Sequence, residues 1–133
     1  MSEWVNKFDW EIWFTGTFQP DRSYRDTIKT KKAFNQFIEF MSKEYNKHEI
    51  EYFLAVERFK HGEFTHCHSL LNGLDGLSYQ QIGEAWRRFY GRERVEKYDP
   101  QKGANFYLTK YVTKELCDWD LVVNKNKSHL LTF

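Results

Sequence analysis

Apolar and polar positions follow two rhythms along this chain. WEIWFTGTF, residues 10–18, is dense in aromatic and β-branched side chains and stops at Gln19-Pro20, which predicts a strand closed by a turn. From about Thr30 to Asn46 the period changes. Ala33, Phe34, Phe37, Ile38, Met41 and Tyr45 recur at helical spacing, with lysines and glutamates between them. EYFLAVERF (51–59) and FTHCHSLLN (64–72) are strand-like again, and the intervening KHGE contains a glycine suited to a tight reversal, so the pair reads as a hairpin. Gly73, Asp75 and Gly76 then break the chain. Ser78 with Gln81 three residues on makes a capping-box pattern, and Ile82, Trp86 and Phe89 mark one face of a helix from about Ser78 to Phe89. RERVEKY (92–98) is a weaker strand candidate, Asp99-Pro100 a turn, residues 103–116 a third helix, and SHLLTF (128–133) a last strand or extension. The order β-α-β-β-α-β-α, with short connections and no repeats or low-complexity stretches, fits the α+β class: an antiparallel sheet with helices on it.

Length narrows the organisation. With 133 residues the chain is long enough for one domain with a real core and too short for two ordinary ones, so 1–133 is read as a single domain. The 41% apolar and 29% charged residues are the balance of a globular protein. The sequence holds no apolar run long enough for a membrane span, and MSEWVNKFDW lacks the basic-then-apolar order of a signal peptide. A cytoplasmic location without a membrane partner is therefore expected. Cys67 and Cys117 are the two cysteines and form no CxxC pair, which argues against a disulfide framework or a cysteine-rich zinc site.

Charge adds a local feature to a nearly neutral whole. The net charge is +1, so no overall electrostatic footprint for DNA exists. Residues 22–32, RSYRDTIKTKK, nevertheless hold five basic residues against one acidic one, and Arg87, Arg88, Arg92 and Arg94 crowd the end of the second helix. Such runs are commonly solvated faces; here they are also candidates for holding a phosphate backbone.

Two constellations carry chemistry. His66 and His68 are two apart on a strand and share a face, with Cys67 on the other. If the hairpin closes about Lys60–Glu63 with Phe59 facing Phe64, Glu57 comes opposite His66 on the same face, whereas Glu63 falls on the face of Thr65 and Cys67. Glu57 is then the third ligand of a site with two imidazoles and one carboxylate, suited to Mn²⁺ or Mg²⁺ in phosphate chemistry and also able to hold Zn²⁺. The second constellation is FYLTKYVTK, residues 106–114. On a helix Tyr107, Lys110, Tyr111 and Lys114 occupy the i, i+3, i+4, i+7 positions of one face, and Leu108, Val112 and Leu116 form a separate apolar stripe that docks the helix. The tyrosines are thereby expected to be free of packing. Each has a lysine one turn on, whose ammonium favours the phenolate and neutralises a phosphate. A phenolate beside a metal site points to covalent attack on phosphorus.

These motifs, in this order, resemble those of the HUH endonucleases, particularly the Rep initiators of rolling-circle replication in phages, viruses and small plasmids. WFTGTF (13–18) is similar to their first motif, His66-Cys67-His68 to their His-hydrophobe-His motif, and YLTKYVTK (107–114) to their tyrosine motif. The likeness spans roughly residues 10–116. Cys67 departs from the larger aliphatic residues commoner at its position, but a buried cysteine acts as a small hydrophobe. The doubled Tyr-x-x-Lys resembles the two-tyrosine phage enzymes, and Tyr111-Val-Thr-Lys114-Glu115 the single-tyrosine viral and plasmid proteins, which favours Tyr111. The resemblance implies a ferredoxin/RRM-like HUH fold, with a central five-stranded antiparallel sheet flanked by helices and the metal site on one face. It implies metal-dependent nicking and joining of single-stranded DNA at an origin or hairpin, through a 5′-phosphotyrosine and a released 3′-OH. The chain has no G-x-x-x-x-G-K-[ST] loop, so helicase and polymerase are expected from the host or another chain. Two further readings remain open: a transposase or relaxase of the same chemistry, and a non-catalytic RRM-like binder of single-stranded nucleic acid whose aromatics stack on bases.

Overall fold

Strand β1, Ile12–Gly16, occupies the middle of the first aromatic run. Its alternation sends Ile12 and Phe14 to one face of a sheet and Trp13 and Thr15 to the other. The computed structural model describes residues 9–19, 26–58, 65–104 and 107, together with the backbone of 117–122. Helix α1, Thr27–Glu44, begins earlier than its apolar period predicts, because the Asp26 carboxylate caps it by accepting the Ile28 N–H at 2.8 Å. The hairpin partners are β2, Glu51–Arg58, and β3, Thr65–Asn72, and the turn between them lies outside the described residues. Helix α2, Tyr79–Arg87, has the expected capping box, with the Ser78 hydroxyl accepting from the Gln81 N–H and the Gln81 side chain accepting from the Ser78 N–H. Strand β4 is Glu93–Lys97.

All strand neighbours are antiparallel. β1 to β4 run in the order β4-β1-β3-β2, and the backbone of β5, Cys117–Val122, pairs with the far edge of β2. The architecture is α+β, an antiparallel sheet with two helices. The hydrophobic pattern does not place an edge strand at 117–122; the segment expected to supply one, 128–133, lies outside the described residues. CDWDLV is hard to read as a strand because its two aspartates interrupt the apolar run, and strand pairing, not local propensity, decides such a segment. Of the third helix, 103, 104 and 107 are helical and most of the rest is outside the described residues. No helix among the described residues is long and apolar enough to cross a membrane.

Two cores form, one on each sheet face. Beneath α1 and α2 lie Phe14, Leu54, Val56, Cys67 and Leu71, packed on Phe34, Phe37, Met41, Ile82 and Trp86. On the other face Trp10, Trp13, Phe53, Leu70, Tyr98, Ala104 and Tyr107 form a smaller cluster that covers only one end of the strands. The opposite end of that face is polar.

Gly16 explains how β1 reaches that end. A Cβ on Gly16 would stand 2.6 Å from the Trp86 ring and 2.9 Å from the Phe14 ring. The missing side chain lets Trp86 lie beneath the strand and donate its indole N–H to the Thr17 carbonyl at 2.9 Å. Gly16→Ala is expected to overpack this contact and destabilise the fold by about 1–3 kcal/mol, read as a lower urea midpoint at unchanged m-value.

Candidate metal centre

The hairpin register decides which side chains meet. Val56 pairs with Cys67, Glu57 with His66 and Arg58 with Thr65, the register expected from closure about residues 60–63. Because side chains alternate, Glu57, His66 and His68 share the face opposite α1 and α2, while Cys67 is fully buried in the larger core. One carboxylate oxygen and one nitrogen from each imidazole lie within 4.8 Å of one another.

Burial and bonding prepare this cluster as a ligand set. Glu57 is 8% and His68 5% exposed, a level at which a lone charge is costly, and the His68 Nε2 to Glu57 Oε1 contact of 2.9 Å answers that cost. The second nitrogen of His68, Nδ1, is 3.5 Å from the Thr15 hydroxyl, and Trp13 stacks on the His68 ring at 6.0 Å with planes 13° apart. These contacts hold the ring's orientation and leave Nε2 toward Glu57. His66, half-buried beside His68, has its pKa lowered by burial and by the neighbouring imidazole, with Glu57 pulling the other way. A neutral imidazole offers its lone pair to a metal at ordinary pH. Two such nitrogens with one carboxylate oxygen, and one side open, fit Mn²⁺, Mg²⁺ or Zn²⁺.

Thr15 and Trp13 are not singled out by the sequence pattern, although both lie in the WFTGTF motif. The available signal is strand alternation: Thr15 pairs with His68 across the ladder, and Trp13 is two residues away on the same face.

The tyrosine motif departs from expectation. Tyr107 is not free of packing. Its ring lies 5.0 Å from Trp13 and 5.4 Å from Tyr98 in the smaller core, and its hydroxyl accepts the Asp99 N–H at 3.0 Å. The docking role assigned to Leu108, Val112 and Leu116 is filled, at this turn, by Tyr107. The larger ring covers more of the apolar sheet while its hydroxyl meets a backbone donor at the rim. Lys110, Tyr111 and Lys114 lie outside the described residues, as does Glu63.

The four arginines are not one cluster. Arg87 pairs with Glu93 at 3.0 Å on the α2 side of the sheet, and Arg88 lies over the rings of Phe40 and Phe89 at 5.9 and 5.7 Å. Arg94, paired with Thr15, belongs by alternation to the metal-centre face, and Arg92 is two residues before it.

No curated protein and no solved structure matches the chain. A family model for replication-associated proteins of the ORF2 type matches residues 11–116, a span that takes in β1, the metal-centre hairpin and the tyrosine motif. By that match, over most of its length, the chain belongs to this family of replication-associated proteins, in keeping with a Rep-type rolling-circle replication initiator.

Proposed function

We propose that this protein nicks and rejoins single-stranded DNA to initiate rolling-circle replication. The observation that carries the reading is the Glu57–His66–His68 triad on the polar end of a sheet face, in a chain of a replication-associated family. On this reading 1–133 is one catalytic domain, its sheet counted with β5 is the five-stranded HUH sheet, and it works in the cytoplasm with helicase and polymerase supplied by other chains.

Glu57, His66 and His68 would hold Mn²⁺ or Mg²⁺, which when bound supplies positive charge to polarise the scissile phosphate. The phenolate oxygen of Tyr111 forms a bond to that phosphorus as the bond from phosphorus to the 3′ oxygen breaks. The released 3′ oxygen takes a proton and becomes a primer end, while the 5′ side stays on the tyrosine. Lys114 and Lys110 stabilise the phenolate and offset charge gathering on the phosphate oxygens. Attack by a 3′-OH on the phosphotyrosine reverses these steps and joins DNA without ATP, because the bond is exchanged rather than hydrolysed.

Incubating the protein with a random single-stranded DNA pool and Mn²⁺ is expected to give a covalent protein–DNA band resistant to denaturing electrophoresis and absent with EDTA. Sequencing the trapped strands then identifies the target. Metal-independent binding with no such band would instead mark a non-catalytic binder.

A further inference from the structure

We infer that the DNA backbone leaves the metal centre across the sheet, over Thr15 and Thr17, to phosphate contacts on Arg92 and Arg94, and that Arg87 and Arg88 take no part. The inference rests on the proposed nicking function and adds to it a path for the strand.

Rows of side chains across the sheet define this path. In an antiparallel sheet, side chains of paired residues stand beside one another across the strands, about 4.8 Å apart per strand. One row reads Ala55, His68, Thr15, Arg94, through the pairs Ala55 with His68, His68 with Thr15, and Thr15 with Arg94. The next begins with Glu57 and His66. On the β1–β4 side it is continued by Thr17, whose N–H and hydroxyl both donate to the Arg92 carbonyl, at 2.8 and 3.1 Å. Both rows thus run from metal ligands through a hydroxyl to a guanidinium about two strand spacings away. The row on the other side of His68, with Phe53, Leu70 and Trp13, is closed by the smaller aromatic core. A polyanion reaching the metal centre along this face has a polar lane toward β4 and an apolar wall beside it.

The two arginines at the end of the lane are exposed. Arg94 leaves 75% of its side chain in solvent, and its nearest carboxylate, Glu96, is 3.6 Å away and itself 45% exposed, so a phosphate can displace it at little cost. Arg92 is exposed and makes no side-chain ion pair among the described residues. They are two apart on one strand and so point the same way, about 6.6 Å apart along it. Two successive phosphates of an extended strand therefore find a donor each.

Arg87 and Arg88 are committed elsewhere and face the other way. Glu93 lies under α2, where burial raises its carboxyl pKa and the Arg87 guanidinium lowers it, so Arg87 answers a carboxylate that the fold has half enclosed. Arg88 rests on two aromatic rings of the helical layer.

The test measures binding of the full chain to a fluorescein-labelled random single-stranded DNA pool, in EDTA so that nothing is cut, across a series of KCl concentrations. Each lost phosphate contact on single strands lowers the slope of log K against log salt by about 0.7. The double variant Arg92→Gln, Arg94→Gln is expected to lower it by about 1.4 with an unchanged melting temperature. Arg87→Gln, Arg88→Gln is expected to leave the slope alone and lower the melting temperature through Glu93. Equal slopes for wild type and the first variant, or a loss confined to the second, overturn the path. Failure of the path and failure of the nicking reading are separable. An Mn²⁺-dependent adduct with no slope change removes only the path, whereas a slope change with no adduct in wild type removes the nicking.

Discussion

His68→Ala is expected to cost the protein most of its affinity for Mn²⁺ and, with it, the metal-dependent covalent adduct. Outer partners of a metal ligand are each worth about 10–100-fold in metal affinity, and His68 is a ligand candidate at the centre of the cluster, bonded to Glu57 and oriented by Thr15 and Trp13. Titration calorimetry should therefore show a loss of more than about 100-fold, the upper end of that range. Glu57→Ala and His66→Ala should behave alike, and Glu63→Ala should bind metal as wild type does, because the strand register carries Glu57 and not residue 63 to the histidine face. An independent readout is thermal. Mn²⁺ at about 100 times its dissociation constant should stabilise the wild-type fold by about 2.7 kcal/mol and the three ligand variants by almost nothing. The pH dependence has a definite sign. His66 is held below the usual histidine range, so between its folded value and about 6.5 the unfolded chain carries a proton that the folded chain does not. Its contribution therefore destabilises the fold as pH falls through that window and is absent above it. Metal affinity should fall over the same direction of pH, as protons compete for the same nitrogen. Undiminished Mn²⁺ binding by His68→Ala would remove the metal centre from the reading.

Much of this centre is legible in the sequence. Period-2 alternation alone puts His66 and His68 on one face and Cys67 on the other, and the short hairpin restricts which carboxylate can face them; both follow from backbone geometry with no reference to packing. The same holds for α2, whose capping box is a local device read directly from Ser78 and Gln81. What stays hidden depends on contacts between distant segments. Thr15 and Trp13 reach His68 only because β1 inserts beside β3, a strand order that hydrophobic period does not encode. Arg87 and Arg94 look like neighbours in one basic run, yet the turn from α2 into β4 sends them to opposite sides of the sheet. Tyr107 escapes a reading by spacing for a related reason. A helix of mixed aromatic and aliphatic residues has two apolar stripes to choose from, and the aromatic wall already built by Trp13 and Tyr98 draws the tyrosine stripe toward the sheet at that turn.

That placement changes what the doubled Tyr-x-x-Lys predicts. Both tyrosines suit nucleophilic attack by spacing alone, but Tyr107 has its ring packed on Trp13 and its hydroxyl engaged with the Asp99 N–H, so using it would break a core contact and a hydrogen bond in each cycle. Tyr111 carries the attack on the proposed reading. Tyr111→Phe is expected to bind single-stranded DNA as wild type does and to lose the covalent adduct by roughly 10³-fold or more, since nothing else in the site replaces a covalent nucleophile. Tyr107→Phe should keep the adduct and lose about 1 kcal/mol of stability, the usual worth of one hydrogen bond, with some further cost if the Asp99 N–H is left without a partner. Tyr107→Ala, which removes the ring, should cost about 3–5 kcal/mol and lower nicking only as far as it unfolds the protein. Peptide mapping of the DNA-linked residue in wild type, with denaturant melts of all three variants, separates the two roles. If the DNA is found on Tyr107 in wild type, or Tyr111→Phe still forms the adduct at the wild-type rate, then Tyr107 must leave the aromatic core to react, and its packing describes a resting state from which the helix has to turn.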